Sequence, residues 1–345
     1  MRSVDGIAES IPHHDHLVAG LAETNIETPL KVVSIKGFRV GASIVASPVD
    51  IFRVLSEVRP EVVHIHGALH PVYLQVALIC RARRVPVVLS PRSAFMLEPD
   101  AALHRKVIRR VAKRLLDPMI SALHGTSDDE METLSSFAIE PHLLPNVLPS
   151  CAASGSSAKG DFARSGYLLL GRVSKRKNPE AAIRAWMSLP RPLREDQPFV
   201  VAGDTPCGDV DPISAELREA ATNAGVQFVG HVSGERKRCL IEGSRVLVHP
   251  SKFENFGHSI GEAMTAGLAV VVGPSTPFSH PLRATSGGVV VEDPTNPTEL
   301  AGAMIEALSQ PVDRRGFNRI LSNYSADALA HGYDELYLEA ASSAS

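Results

Sequence analysis

The chain has 345 residues, 44% of them hydrophobic and 21% charged, which suits two soluble domains better than a single core. A net charge of −3 supplies no global pull toward nucleic acid, and 5% aromatic content argues against base-stacking platforms. Cys80, Cys151, Cys207 and Cys239 are scattered without C-x-x-C or Cys/His ligand spacing, so they read as reduced thiols rather than disulfides or a zinc site. No apolar run approaches the roughly 20 residues that span a bilayer. The opening MRSVDGIAESIPHHDH has no apolar core of a signal peptide, and a cytoplasmic location is expected.

The first 150 residues alternate strand-like and helix-like segments. Strands are predicted at Leu30–Ile35, Val62–His66, Pro86–Ser90, Met119–His124 and His142–Leu144. Helices are predicted at His14–Glu23, Val49–Val58, Val72–Arg83, Ala101–Leu116 and Asp128–Phe137. Such alternation with short connections implies parallel strands and right-handed crossovers, hence a Rossmann-like half. Asp128-Asp129-Glu130 reads as a first turn matched to the helix dipole rather than a metal-binding set. His13, His14 and His16 read as solvated histidines at the terminus.

The small, polar stretch Ser150–Arg164 is the linker candidate. A second, more regular series follows. Its strands are expected at Tyr167–Leu170, Phe199–Ala202, Gln227–Val229, Val246–His249, Ala269–Val272 and Val289–Val291. Its helices are expected at Pro179–Leu189, Ile213–Ala224, Glu235–Glu242, His258–Ala266 and Thr298–Leu308. The tail Asp327–Ala341 has the pattern of an amphipathic helix.

Two stretches of the second half carry chemistry. In LGRVSKRKN (Leu170–Asn178), a strand ends at Gly171 and four cations follow before Asn178-Pro179 can start a helix. Cations at the carboxyl edge of a parallel sheet are well placed for a diphosphate, although Lys175 and Arg176 are better described as a solvated loop. In HPSKFENFGHSIGEAMTAG (His249–Gly267), a strand gives way to a glycine-containing loop and a helix closed by Gly267. Backbone N–H groups at such a helix start can meet phosphate. Glu254 and Glu262 bracket the turn as acceptors suited to vicinal hydroxyls. A ligand with hydroxyls at both ends and charge between them, such as a nucleotide-sugar, has this layout. The plainer alternative is a pair of solvated carboxylates near a helix start.

The string E-N-F-G-x-x-x-x-E, after a strand ending in HPS and before E-A-M-x-x-G, resembles the retaining GT-B-fold glycosyltransferases of glycosyltransferase family four. The resemblance covers most of residues 60–340. It implies an α/β GT-B fold: two Rossmann-like domains facing across a cleft, the first without its opening strand. On that reading residues 1–150 bind acceptor, 151–325 bind the nucleotide-sugar, and 326–345 cross back to the first domain. Arg172 and Lys177 match the diphosphate-binding pair of the family's G-R-x-x-x-x-K motif, with Asn178 where glycine is usual. Glu254 would hold the donor sugar and Glu262 the ribose, with Gly171, Asn255, Phe256, Gly257, His258 and Ser259 completing the donor site.

The same resemblance implies hexose transfer with retention, without metal or cofactor, from a nucleotide diphosphate sugar to a glycan or lipid-linked acceptor in cell-surface polysaccharide or glycolipid assembly. Arg172, Lys177, Glu254 and His66 are the candidate catalytic residues. On the acceptor side, Gly6 remains where the family often has two adjacent glycines, His66 ends the strand of VHIHG, and Arg92 lies in SPRS, where many members carry a histidine. Another GT-B enzyme (epimerase or phosphorylase) and a non-catalytic nucleotide-sugar-binding subunit are the rival readings.

Leu103–Leu116 (LHRKVIRRVAKRLL) is separate. Leu103, Val107, Val111 and Leu115 recur on one face, and Arg105, Lys106, Arg109, Arg110, Lys113 and Arg114 supply cations. With no nucleic-acid module beside it, the helix reads as an ordinary exposed helix or as a peripheral contact with anionic membrane.

Overall fold

The computed structural model describes residues 17–21, 31–35, 37–40, 43–96, 103–148, 164–205 and 210–343. The chain divides into two compact units, residues 1–149 with 324–345, and residues 150–323. Gly6, His13, His14, His16, Cys151 and Cys207, with nearly all of the linker candidate, lie outside the described residues.

The second unit is a six-stranded parallel sheet. In chain order its strands are β9 (Tyr167–Leu170), β10 (Phe199–Ala202), β11 (Gln227–Gly230), β12 (Val246–His249), β13 (Ala269–Val272) and β14 (Gly288–Val290). Side by side they run β11-β10-β9-β12-β13-β14, with every pairing parallel. Numbered within the unit this is 3-2-1-4-5-6, the doubly wound order whose reversal leaves a ligand crevice between the first and fourth strands. Those strands are β9 and β12. YLLL, VLVH and AVVV are buried at every position, as continuous apolar runs covered on both faces should be. Trp186 is the largest fully buried side chain, and its indole N–H donates to the Gln197 carbonyl at 2.9 Å.

The first unit contains a four-stranded parallel sheet, β5 (Val63–His66), β6 (Val87–Ser90), β7 (Ala122–Gly125) and β8 (Pro141–Leu143), in that order. Its helices include α1 (Pro48–Val58), α2 (Pro71–Ala82), α3 (Leu103–Leu116) and α4 (Asp128–Leu134). Serine caps start two of them: Ser47 Oγ accepts from Asp50 N–H, and Ser127 Oγ from Glu130 N–H. The tail helix, Ala326–Ser342, packs Leu329, Tyr333, Leu336 and Ala340 with Val88, Ala122 and Val147.

Several expectations need correction. His14–Glu23 is not a helix where described: Leu17–Leu21 is strand β1, paired in parallel with β2 (Lys31–Ile35). The segment LVAGL holds too few residues to sustain a helix alone, and its pairing partner decides its state. Residues 37–40 and 43–46, unassigned from sequence, form an antiparallel hairpin, β3–β4. The predicted strand at Met119–His124 starts only at Ala122, because Asp117–Met119 forms a 3₁₀ turn with Pro118 inside it. Short helices at Arg191–Asp196 and Ser279–Leu282 and a longer one at Arg314–Ser322 add to the elements expected from sequence.

Candidate donor site at the switch point

The loops after β9 and β12 sit on either side of the crevice position. Gly171 ends β9 with φ 148°, and Gly203 ends β10 with φ 147°. A Cβ at Gly203 would overlap the Gly171 carbonyl oxygen, so only glycine lets these strand ends approach so closely. The β9 loop then passes through exposed Arg172 and Lys175 into a 3₁₀ turn over Lys175–Lys177. Asn178 adopts the left-handed conformation with φ 52°, donates its side-chain N–H to the Pro294 carbonyl, and is followed by Pro179 at the helix start. The two loops are clipped together, since Lys252 N–H donates to the Arg176 carbonyl at 2.9 Å. The Arg176 guanidinium lies 5.0 Å from the Phe253 ring centroid.

This brings Lys177 onto Glu254. The lysine Nζ donates to Glu254 Oε2, and both side chains are largely shielded from water. His249, the last residue of β12, completes a cluster: its Nε2 lies 3.1 Å from Glu254 Oε2 and 3.3 Å from Lys177 Nζ. Its Nδ1 lies 3.2 Å from Ser259 Oγ. Burial would raise the Glu254 pKa, but the His249 hydrogen bond and the Lys177 charge outweigh it and hold the carboxyl well below its ordinary range. Burial, helped by the Lys177 charge, pushes His249 down to about 4 despite Glu254, leaving the imidazole neutral at physiological pH. For Lys177, burial lowers the pKa, Glu254 opposes it, and the Arg176 and Arg172 charges add to the lowering. Arg172 is therefore within electrostatic reach of Lys177.

The helix after this loop, His258–Ala266, starts at Gly257 with φ 85° and ends at Gly267 with φ 77°. A Cβ at Gly257 would meet Ile260 Cδ1 at 2.8 Å and Glu254 Cγ at 3.3 Å, so glycine allows the carboxylate to sit against the helix start. Such a start presents N–H groups with no acceptor inside the helix. Phe256 is buried, with ring centroids 4.9 Å from His258 and 5.5 Å from Phe278. Glu262, one turn on, pairs with Lys237 of the neighbouring helix, Gly234–Gly243. Asn255 is half-buried in the turn. The structure thus gathers Gly171, Arg172, Lys177, Glu254, Gly257 and Ser259 around one strand edge. Glu262 follows one turn into the helix, held by a lysine that sequence spacing did not single out.

Two further members were missed. His249 was legible only as the end of a strand, and Lys237 only as one cation on an exposed-looking helix. Ser251 Oγ and Thr276 Oγ1 are buried in the adjoining loops without a hydrogen-bond partner. Among the described residues no group of three or more His, Cys, Asp or Glu is gathered as a metal site, and no helix is long and apolar enough to cross a membrane.

The other candidates, His66 and Arg92, belong to the first unit, at the ends of β5 and β6. Arg92 donates to His66 Nδ1 at 2.8 Å and to Asn146 Oδ1. Glu130, read from sequence as part of a first turn matched to the helix dipole, lies in that turn, is buried, and accepts from Ser93 N–H at 2.5 Å and from Thr126 N–H and Oγ at 2.9 Å.

Residues 165–327 match the family described as glycosyl transferases group 1, and residues 14–146 match the glycosyl transferase 4-like domain. The chain is 31% identical over 152 residues to O-antigen chain mannosyltransferase B of Escherichia coli, covering 44% of this chain and 39% of that protein. It is 25% identical over 264 residues to the GDP-mannose:cellobiosyl-diphosphopolyprenol alpha-mannosyltransferase of Xanthomonas oryzae pv. oryzae, covering 73% and 66%. The match spans no more than about two fifths of the length of the first three curated relatives, at 39%, 35% and 39%. Among solved structures, WaaG, a glycosyltransferase involved in lipopolysaccharide biosynthesis, superposes with TM-score 0.69 at 16% identity, covering 97% of this chain and 95% of that one. Sucrose-phosphate synthase from Thermosynechococcus elongatus superposes with TM-score 0.70 at 15% identity, covering 98% and 91%. With two Rossmann-like units, the second matching the group 1 glycosyl transferases and the first the glycosyl transferase 4-like domain, the chain is a glycosyltransferase of the GT-B fold.

Proposed function

We propose that this protein transfers a hexose, with retention, from a nucleotide diphosphate sugar to a glycan or lipid-linked acceptor. The observation that carries the reading is the Lys177–Glu254–His249 cluster at the topological switch point, beside a helix start and within reach of Arg172. Breaking a sugar–phosphate bond leaves a nucleoside diphosphate with growing negative charge. Arg172, Lys177 and the amides of the helix start supply fixed positive potential where that charge develops. Glu254, kept ionised, accepts hydrogen bonds from the donor sugar's hydroxyls, and Glu262 from the ribose. Lys237 then neutralises Glu262 while the ribose is absent. Because the positive charge comes from side chains and backbone, the reading assigns no metal or cofactor. GDP-mannose, the donor named for the Xanthomonas oryzae relative, is the first sugar nucleotide to test.

The test is thermal stabilisation across UDP-, GDP- and ADP-sugars, followed by transfer to polyprenol-linked and soluble glycan acceptors. A donor at a hundred times its Kd adds about 2.7 kcal/mol of stability. Donor binding with no turnover on any acceptor would favour the binding-subunit reading. Binding of none would remove the enzyme assignment.

The reading extends to peripheral contact with an anionic membrane through α3. Its inward side is set by buried Leu116, by Arg109 Nε donating to the Ala94 carbonyl at 2.6 Å, and by Lys113 donating to the Ser136 carbonyl. At about 100° per residue, Leu103, Val107, Val111 and Leu115 fall on the opposite side. Leu103 is 76% exposed and Val107, Ile108 and Val111 are each 51% exposed. Lys106, Arg110 and Arg114 flank that apolar stripe, and the helix contains no carboxylate. An apolar stripe edged by cations matches acyl chains below anionic headgroups.

A further inference from the structure

The end of β5 and the loop after β6 hold a polar cluster that the donor chemistry does not use. Its hydrogen bonds have a determined direction. The Leu144 carbonyl can only accept, so His124 Nε2, 2.8 Å away, carries the proton and His124 Nδ1 is an acceptor. Ser90 Oγ, at 2.5 Å, donates to that Nδ1 and accepts from His64 Nε2 at 2.6 Å. His64 Nδ1 is then an acceptor for the Tyr337 hydroxyl at 2.8 Å, supplied by the tail helix. The His66 ring stacks on His64 with centroids 4.1 Å apart, which fixes its plane.

His66 itself is set by Arg92. A guanidinium only donates, so the His66 Nδ1 that receives Arg92 must be unprotonated, and the imidazole proton sits on Nε2. Arg92 makes its remaining bond to Asn146, and among the described residues no carboxylate is paired with it. Glu130, whose charge is felt at Arg92, spends both oxygens on Ser93 and Thr126 instead. Arg92 and Ser93 are held with φ of 56° and 64°, two consecutive residues in the left-handed region that side chains disfavour. Both Arg92 and His66 remain half-buried at the carboxyl edge of a parallel sheet. A guanidinium is thus fixed with only neutral acceptors, N–H groups to spare, and a neutral Nε2–H donor beside it.

We infer that Arg92 is the receptor for a phosphate-class anion of the acceptor, with His66, locked as its Nε2–H tautomer, donating to an adjacent acceptor oxygen. This rests on the glycosyltransferase reading for the word acceptor, but the anion site stands on the first unit alone. A guanidinium suits phosphate because its planar fork makes paired, charge-assisted hydrogen bonds. The Tyr337–His64–Ser90–His124 chain is the support that keeps the neighbouring ring in place.

The experiment follows the histidine ¹⁵N and ring-proton NMR signals of the full chain during titration with an alkyl diphosphate and, separately, inorganic phosphate. A free-nucleotide arm with GDP or UDP is run on the same samples. The expected result is a shift of the His66 Nε2–H signal with alkyl diphosphate, binding at least about tenfold tighter than inorganic phosphate. R92Q should weaken that binding about ten- to hundredfold, the loss of one charge-assisted bond. R92K should restore part of it, and nucleotide binding should not change. No shift of His66 in the native protein, an R92Q affinity equal to the native one, or equal binding of both anions would overturn the proposal. Because the first readout needs no variant, a destabilised R92Q does not remove the test. Loss of nucleotide binding in the native protein would count against the donor reading alone.

Discussion

Lys177 and Glu254 are where one side chain decides most. Each is nearly shielded from water and each is the other's ionic partner. Replacing Lys177 with Ala strands a buried carboxylate, and loss of one partner of a buried pair costs about 3–5 kcal/mol. On the proposed function the same change also removes a donor to the leaving diphosphate, for which a hundred- to thousandfold loss of turnover is expected. Radiolabelled transfer assays and chemical denaturation on one preparation should show both effects for K177A. R172A, on an exposed arginine, should lower turnover with stability within about 0.5 kcal/mol of the native chain. Equal turnover of R172A and native enzyme would take Arg172 out of the site. The motif resemblance singled out Arg172, Lys177, Glu254 and Glu262 but gave no sign of His249 and Lys237. A strand-ending histidine and a helical lysine carry no signal until folding brings them against a carboxylate.

Among the elements, the β9–β10 edge and α3 make the clearest predictions. Gly203→Ala places a methyl group onto the Gly171 carbonyl at a φ that disfavours side chains. The strand ends must then separate, with a cost of at least about 1–3 kcal/mol, seen as a lowered denaturation midpoint and weakened nucleotide binding. Gly302, where an added Cβ meets nothing, is the matched control and should tolerate Ala. For α3, neutralising Lys106, Arg110 and Arg114 should abolish flotation with vesicles containing anionic lipid and leave donor binding intact. Each cation near such a surface contributes about 1 kcal/mol, so the triple change should reduce partitioning at least tenfold. Unchanged partitioning would leave α3 as an exposed helix. The helical period of this segment was readable from its repeat of four, but which face looked outward was not. The inward side is chosen by Leu116, Arg109 and Lys113 finding partners on other elements.

At the scale of the molecule, acid should be its weak condition. His249 is pushed down to about 4 and His124 to about 3, both chiefly by burial, and His64 and His66 are lowered too. Between the ordinary histidine value near 6.5 and these folded values, the unfolded chain binds protons that the folded chain refuses. Stability therefore falls as pH drops through that window, by up to about 3 kcal/mol from His249 alone. Glu254 adds loss of the same sign below about pH 4.3, since its folded pKa is depressed. Urea denaturation at pH 7 and pH 5 should show the decline, and His249→Asn should flatten it for the second unit. A pH-independent midpoint would mean these histidines are not buried neutral.

Taken alone, the sequence determined the alternating elements of both halves, the parallel strands that follow from them, and which motif residues are candidates for a donor site. Those properties live in short-range patterns: the apolar run of a buried strand, the cap and glycine at a helix end, the spacing of charge within one loop. Tertiary structure decided that Leu17–Leu21 pairs as a strand, that Glu130 and His249 are buried, and that Lys237 meets Glu262. It alone also decided that Tyr337, far along the chain, fixes a histidine at the edge of the first sheet. Each of these depends on which distant segment supplies the partner, and a linear pattern does not encode the identity of a partner brought by folding.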